Sequence, residues 1–146
     1  MTDESFYDTN ILFYSYDLNE PQKRKICRAR IGRIFSGADR GYISNQILVE
    51  LYNALTRKLG VKAGTSRVIV GSFISSPNWV KINYNHGTAK RALETSNAFK
   101  TSFLDTLIVE TMKENGLNKI ITENERDFKP IPGVQVINPM KSTTSH

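Results

Sequence analysis

Short apolar runs alternate with longer segments that repeat apolar residues at helical spacing through most of the 146-residue chain. The short runs predict strands at residues 5–8, 41–44, 79–83, 119–122 and 134–137. The longer segments predict helices at about 21–35, 45–59, 64–75, 87–98 and 102–115. Strands and helices that alternate in this way are typical of an α/β protein with a mostly parallel sheet.

Local signals support several of these boundaries. Pro21 suits the first turn of a helix, Ser44 or Asn45 suits an N-cap, and Gly60 suits a helix end. Inside the third predicted helix, residues 68–70 are all β-branched, so a strand remains an alternative there.

The composition suits a single globular domain, with 39% hydrophobic and 23% charged residues. We therefore expect one domain over residues 1–140 and a flexible tail over residues 141–146. No apolar run approaches the length of a membrane span, and the N-terminus carries acids where a secretory signal carries basic residues. A single cysteine, Cys27, excludes an internal disulfide, and we expect a cytoplasmic protein.

Basic residues are concentrated on the predicted helix at 21–35. The net charge is +6 and the pI is about 9.5, which favours nonspecific attraction to nucleic acids or anionic membranes. The basic side chains of this helix suit a solvated face and a phosphate-contacting face equally well. Cys27 lies among them, which leaves a lowered thiol pKa open, although a packing role is the simpler interpretation.

Glu50 is an acid without a basic residue one helical turn away. Gln46 and Ile47 precede it by one turn, and Asn53 and Ala54 follow it by one turn. It lies in an apolar segment, where an unpaired carboxylate is costly to bury. Either a distant cation or a bound metal ion must therefore compensate its charge.

Asp105 also lacks a cation at helical spacing, and two interpretations are open. Together with Ser102, three residues earlier, it matches a relaxed capping box at the start of a helix. Alternatively, its carboxylate joins Asp8 and Glu50 in one site. The cap is favoured for Asp105 alone, and the site is favoured when the three acids are taken together.

Other polar residues follow predicted strands directly. Asp8 ends the first strand, and Asn124 and Asp127 follow the fourth, whereas Glu123 and Glu125 suit an ordinary polar loop. In a parallel sheet such positions converge on the carboxyl edge, where open α/β sheets bind ligands. Clustered carboxylates raise each other's pKa, and a Mg²⁺ or Mn²⁺ ion with oxygen ligands relieves that repulsion. The sequence therefore predicts a metal site at this edge.

Four motifs in this order resemble a PIN domain, and above all the VapC-like toxin ribonucleases of toxin–antitoxin pairs. They are Asp-Thr-Asn-Ile-Leu at 8–12, Ile-x-x-Glu-Leu at 47–51, Ser-Phe-Leu-Asp-Thr-Leu-Ile at 102–108 and Thr-Glu-Asn-x-x-Asp-Phe at 122–128. The resemblance spans nearly the whole chain. It implies a three-layer α/β/α sandwich with a mostly parallel sheet and an acidic pocket for Mg²⁺ or Mn²⁺.

The resemblance also implies a role for each acid. Asp8, Glu50, Asp105 and Asp127 match the catalytic acids, and Asp8 and Asp105 would hold the metal ion most directly. Many family members carry an aspartate where this chain has Asn124, so Asp127 takes the fourth role here. This departure leaves open whether one or two ions bind.

Polar and basic residues complete the implied site. The residues expected to flank the acids are Asn10, Thr122 and Asn124. An acidic pocket repels RNA, so basic groups must bring the backbone in. The candidates for phosphate contacts are Lys23, Arg24, Arg28 and Arg57.

The function that the resemblance implies is that of a metal-dependent endoribonuclease. Its implied partners are an RNA substrate, a small antitoxin that fills the groove beside the pocket, and a second copy of the chain. Phe13, Tyr14 and Tyr16 suit that groove, core packing or a dimer contact. Two alternatives stay open: a PIN-domain nuclease in RNA processing, and a catalytically degenerate RNA-binding module, which Asn124 supports.

Overall fold

Five parallel strands form one sheet in the computed structural model, which describes residues 3–141. The predicted tail therefore falls almost entirely, at residues 142–146, outside the described residues. The sheet order is β3-β2-β1-β4-β5, and each neighbouring pair is parallel. The strands are β1 (Glu4–Tyr7), β2 (Arg40–Ser44), β3 (Trp79–Ile82), β4 (Lys119–Ile121) and β5 (Gln135–Ile137).

Seven helices connect or follow these strands within residues 3–141. They are α1 (Thr9–Tyr14), α2 (Pro21–Phe35), α3 (Asn45–Arg57), α4 (Ala63–Ser75), α5 (His86–Phe99), α6 (Phe103–Glu114) and α7 (Glu125–Phe128). Every predicted strand and helix is confirmed with ends within two residues of those expected. The strand alternative inside α4 was wrong, and the two short helices α1 and α7 were not predicted.

Helix starts follow the capping signals in the sequence. Pro21 occupies the first turn of α2, and the Ser44 hydroxyl accepts a hydrogen bond from the Ile47 N–H at the start of α3. Ser102 caps α6 in the same way, by accepting from the N–H of Asp105. These caps fix the positions of the helices that carry Glu50 and Asp105.

The core lies on both sides of the central strands. Phe6 and Tyr7 of β1 and Ile120 of β4 are buried, as expected for strands covered by helices on both faces. Trp79 packs edge-on against Tyr7, with ring centroids 5.3 Å apart. Gly41 of β2 is required beside it, because a Cβ there would lie 2.6 Å from the Trp79 ring.

The chain order of the strands determines where a ligand crevice opens. From β1 the chain passes to β2 and β3 on one side, and it later adds β4 and β5 on the other side. Right-handed crossovers then put α2, α3 and α4 on one face and α5 and α6 on the opposite face. The expected three-layer α/β/α sandwich is confirmed, with a sheet that is parallel throughout. The strand order reverses between the carboxyl ends of β1 and β4, which is where such sheets bind ligands.

Two other expectations can be compared with the structure. Among the helices of residues 3–141, none has both the length and the apolar character that crossing a bilayer requires. Cys27 is buried in the core, and its burial raises the pKa of the thiol to about 12. The alternative of a lowered thiol pKa was therefore wrong, because burial in the apolar core outweighs the effect of the neighbouring basic residues.

Candidate active site

An open cleft of about 460 Å³ lies beside the carboxyl ends of β1 and β4. Asp8 reaches it from the end of β1, Glu50 from α3 and Asp105 from the first turn of α6. Asn10 and Asn124 line it as well. Five of the seven residues predicted as catalytic acids or as their flanking residues are thus brought together. The remaining lining residues are Thr9, Phe13, Tyr14, Asn53, Ala54, Arg57 and Lys58.

Asp8 is buried and firmly oriented at the N-cap of α1. Its Oδ1 accepts from the Thr9 N–H at 2.8 Å, and its Oδ2 accepts from the Thr122 hydroxyl at 2.8 Å. Burial above all, and then the charges of Asp105 and Glu50, raise the pKa of Asp8 to about 6 against the effect of these hydrogen bonds. The carboxyl group is therefore held in place at an energetic cost to its charged form.

Hydrogen bonds around Thr122 join the ends of β1 and β4. The Thr122 hydroxyl accepts from the Asn124 N–H at 2.9 Å while it donates to Asp8. The Asn10 amide donates to Thr122 Oγ1 at 3.3 Å, and its Oδ1 accepts from the Glu123 N–H at 3.3 Å. The three residues expected to flank the acids, Asn10, Thr122 and Asn124, therefore belong to one network with Asp8.

Glu50 has two neutral partners, an arrangement that the sequence analysis did not consider. The Thr9 hydroxyl donates to Oε1 at 2.7 Å, and the Gln46 amide donates to Oε2 at 3.0 Å. Within residues 3–141, both oxygens are thus bonded without a basic side chain. The signal for Gln46 was present in the sequence, because it precedes Glu50 by four residues on the same helix face.

Asp105 combines half of the expected capping box with a place in the acidic site, because within residues 3–141 its carboxylate makes no hydrogen bond back to the Ser102 N–H. Its backbone N–H donates to the Ser102 hydroxyl at 3.4 Å, which caps α6. Its carboxylate, half-buried, lines the cleft. Burial first, and then the charges of Asp127 and Glu50, raise the pKa of Asp105 to about 6. The cap and the acidic site are thus compatible, because they use different groups of one residue.

Asp127 lies outside the lining of the cleft, unlike Asn124. It is exposed on the short helix α7, whose next residue, Phe128, is buried in the core. Phe128 anchors this helix, and Asp127 lies close enough to Asp105 for its charge to raise the pKa of Asp105. The other two acids of this segment have structural partners: Glu123 pairs with Lys23 at 2.6 Å, and Glu125 pairs with Lys129 at 3.2 Å.

The sequence profile of the PIN domain matches residues 5–134 of the chain. The chain belongs to the PIN domain family. The resemblance read from the four motifs is therefore confirmed at the level of the family. No curated protein matches the sequence.

Several solved structures share the fold of this PIN domain. A toxin–antitoxin complex from Klebsiella pneumoniae superposes with a TM-score of 0.62 at 22% identity, covering 92% of this chain and 97% of its own. Mycobacterium tuberculosis VapC20, described as a toxin that cleaves the sarcin–ricin loop, gives 0.64 at 15% identity and coverages of 90% and 97%. VapBC2 from Rickettsia felis, bound to a promoter DNA fragment, gives 0.66 at 17% identity and coverages of 93% and 98%.

The acids of this PIN domain suit a hard divalent ion. In the described part of the chain, Asp8, Glu50, Asp105 and Asp127 form no ion pair with a basic side chain. Their ligand atoms are all oxygens, which Mg²⁺ and Mn²⁺ prefer. Between residues 3 and 141, however, no three His, Cys, Asp or Glu side chains have the spacing of a metal site. The arrangement fits an ion held by one or two carboxylates and several waters, which is common for Mg²⁺.

The predicted phosphate contacts are spread over different environments. Of the four candidates only Arg57 lines the cleft, and Lys58 beside it was not predicted. Lys23 is engaged with Glu123 and lies over the Tyr14 ring, and Arg28 donates to the Ser15 carbonyl at 3.1 Å. The remaining candidate, Arg24, is half-buried, and its Nε atom has no hydrogen-bond partner in the described part of the chain.

Proposed function

We propose that this PIN domain is a metal-dependent endoribonuclease and the toxin of a toxin–antitoxin pair. One observation carries the proposal: three carboxylates, Asp8, Glu50 and Asp105, line one cleft, and within residues 3–141 none of them accepts a hydrogen bond from a basic side chain. Such a cluster is electrostatically unfavourable in the metal-free protein, and the raised pKa of Asp8 is a consequence of this. Family membership and the fold shared with toxins support the same interpretation.

Asp8 and Asp105 are the proposed ligands of Mg²⁺ or Mn²⁺. Both have carboxylates whose charged form is disfavoured without a cation. The chemistry that a bound divalent ion supplies is a water of lowered pKa and neutralisation of charge on the phosphodiester. Thr122 and Asn10 hold Asp8 in a fixed orientation, so this ligand is preorganised. Asn124 and the charge of Asp127 complete the surroundings.

Glu50 is the proposed proton acceptor for the attacking water. Its two oxygens are each held by one neutral donor, Thr9 or Gln46, and a carboxylate oxygen retains a second lone pair for a further hydrogen bond. The carboxylate is thereby oriented without losing its charge to a salt bridge. Arg57 and Lys58, on the same helix and its end, supply the positive charge that draws the RNA backbone into an acidic cleft.

A small antitoxin protein is the proposed partner. The cleft walls include the aromatic side chains of Phe13 and Tyr14, which offer apolar surface beside the acids. Tyr16, the third aromatic residue of the sequence prediction, instead lies next to the Arg28 guanidinium, 6.0 Å from ring centroid to Cζ. We propose that the antitoxin covers the surface of Phe13 and Tyr14 and blocks the cleft, and that the toxin is a homodimer.

Cleavage of a labelled structured RNA tests the nuclease proposal. Wild-type protein is incubated with Mn²⁺, Mg²⁺ or EDTA, alongside Asp8→Asn and the matched surface variant Glu94→Gln. Glu94 is an exposed acid on α5 whose one ion pair within residues 3–141 is with Lys90, so its loss leaves the cleft unchanged. We expect cleavage that EDTA and Asp8→Asn abolish and that Glu94→Gln retains. Cleavage that survives either treatment would contradict the proposed site.

A catalytically degenerate RNA-binding module is the second candidate. It is favoured by the amide of Asn124 in the cleft and by the position of Asp127 outside it. This module would bind RNA without cleavage under any metal. A rise in melting temperature with Mn²⁺, lost in Asp8→Asn, would support a metal site even for an enzyme whose RNA target is narrow.

A further inference from the structure

A second depression, of about 440 Å³, adjoins the catalytic cleft and shares Glu50 with it. It lies near the start of α3 and the loop that follows β3. We call it the side pocket, and its other lining residues are Asn45, Gln46, Val49, Asn83, Tyr84 and Leu104. None of these residues has a role in the site described so far except Gln46, which holds Glu50.

The side pocket lies on the same edge of the sheet as the catalytic acids. Asn45 directly follows β2 and Asn83 directly follows β3, and the last residues of these strands, Ser44 and Ile82, pair with each other. Neighbouring strands are about 4.8 Å apart, so these two asparagines stand about one and two strand spacings from the end of β1. The side pocket therefore borders the cleft along this edge of the sheet.

Two polar side chains of the side pocket are free to recognise a ligand. Within residues 3–141, the side-chain amides of Asn45 and Asn83 make no hydrogen bond. Each amide offers donors and an acceptor, which match the hydrogen-bonding edges of nucleobases. Tyr84 is 40% exposed and presents an aromatic ring on which a base can stack. Leu104, 54% exposed, adds apolar surface.

The charge of the side pocket favours a base over a phosphate. Among residues 3–141, its lining contains no Lys or Arg, and its one ionisable acid is Glu50. A phosphate group would be repelled there, whereas a neutral heteroaromatic ring would not. The cationic groups Arg57 and Lys58 line the catalytic cleft instead. The two depressions thus divide the binding of a nucleotide between a backbone site and a base site.

We propose that the side pocket is a nucleobase subsite that selects the base next to the cleaved phosphodiester of single-stranded RNA. Tyr84 stacks on the base, and Asn45 and Asn83 hydrogen-bond to its edge. The proposal rests on the proposed ribonuclease function, and it adds the origin of sequence preference to that function.

Short single-stranded RNAs that differ only in the base next to the cleavage site test this subsite. Cleavage efficiency, as kcat/KM, is measured with Mn²⁺, and affinity is measured by fluorescence anisotropy on the uncleaving Asp8→Asn protein. The variants are Tyr84→Ala, Tyr84→Phe, Asn45→Ala and Asn83→Ala, each made with and without Asp8→Asn. Matched controls are Phe99→Ala and Asn97→Ala, both exposed at the far end of α5.

Tyr84→Ala is expected to weaken RNA binding roughly 5- to 100-fold, the range for loss of one base–aromatic stack, while Tyr84→Phe retains it. Asn45→Ala and Asn83→Ala are expected to reduce the preference among the four bases about tenfold while the poorest substrate is cleaved as before. Phe99→Ala and Asn97→Ala change neither quantity.

Other results overturn the subsite and identify what failed. If the wild-type protein cleaves RNA and Tyr84→Ala behaves like Phe99→Ala, the subsite is wrong while the nuclease proposal stands. If the wild-type protein neither binds nor cleaves RNA, the proposed function itself fails, and the subsite fails with it. If sedimentation finds that Tyr84→Ala abolishes self-association and leaves base preference intact, the side pocket is a contact between copies of the chain.

Discussion

The hydroxyl of Thr122, at the end of β4, donates a 2.8 Å hydrogen bond to Oδ2 of Asp8, at the end of β1. These two strands are sequence-distant neighbours at the point where the strand order reverses. The bond crosses that point, so the geometry of the candidate metal ligand depends on the pairing of β1 with β4. Folding of the sheet and orientation of Asp8 are therefore coupled.

Removal of this hydroxyl should reduce both stability and metal binding. Thr122→Val leaves the Asn124 N–H without its acceptor and leaves Asp8 Oδ2, within residues 3–141, with the longer 3.4 Å bond from Asn10 alone, in a site where Thr122 is fully buried. We expect a loss of about 1–3 kcal/mol in the free energy of unfolding, the usual cost of unsatisfied buried groups. Urea unfolding measures it, and Mn²⁺-induced stabilisation should shrink in parallel. Thr122→Ser keeps the hydroxyl and serves as the control, and equal behaviour of the two variants would contradict this role.

Asp105→Asn should stabilise the metal-free protein above pH 6. Burial and the charges of Asp127 and Glu50 raise the pKa of Asp105 to about 6 in the folded state, from 3.8. Between these two pH values the folded state binds more protons than the unfolded state, so stability falls as pH rises through this window. The amide removes this dependence. We expect a melting temperature a few degrees above wild type in EDTA at pH 8, with a difference that shrinks as pH falls from 6 to 4.

Mn²⁺ should reverse this order of stability. At pH 8 the ion should raise the melting temperature of wild-type protein and leave Asp105→Asn nearly unchanged, because the variant lacks one proposed ligand. Glu94→Gln, which alters an exposed acid on α5, controls for general loss of negative charge. A wild-type protein more stable than Asp105→Asn in EDTA at pH 8 would show that the carboxylate is compensated by a partner.

The sequence predicted the fold well because its signals were local and strong. The strand and helix bounds followed from apolar spacing and from caps such as Pro21 and Ser44. The short helices α1 and α7 were missed because six and four residues are too few to display a helical period. Asp8 caps α1, and aspartate is a favoured N-cap residue, so the sequence did carry a signal for the start of this helix.

The candidate site was predictable in part. Acids without a local cation, such as Glu50, were recognised from helix spacing alone, and the cleft brings them together. The position of Asp127 outside the cleft could not be predicted from the sequence, because it depends on how Phe128 anchors α7. The hydrogen bond from Thr9 to Glu50 joins residues far apart in sequence, and no local pattern encodes it.

Loss of the Gln46 amide should affect catalysis more than binding. Gln46 donates to Glu50 Oε2 at 3.0 Å and orients the proposed proton acceptor. Gln46→Ala should lower kcat about tenfold with KM nearly unchanged, a fraction of the usual contribution of a general base. Gln46→Glu should lower kcat further, because two carboxylates at this spacing repel each other. This decrease in kcat should be smaller at lower pH. If Gln46→Ala lowers the stability of the fold, measured by calorimetry, as much as it lowers kcat in free-energy terms, Gln46 has a structural role alone.

Arg57 should contribute to RNA affinity through the phosphate backbone. It lines the cleft that holds Asp8 and is exposed, and in the described part of the chain it forms no ion pair. Arg57→Ala should weaken binding of all RNA sequences alike and reduce the slope of log K against log salt concentration by about 1. Fluorescence anisotropy on the Asp8→Asn protein over a salt series measures both quantities. Arg40→Ala removes an exposed arginine from the amino end of β2, at the opposite edge of the sheet, and should change neither. An unchanged slope for Arg57→Ala would place the backbone contact on another cation, with the neighbouring Lys58 the first to substitute.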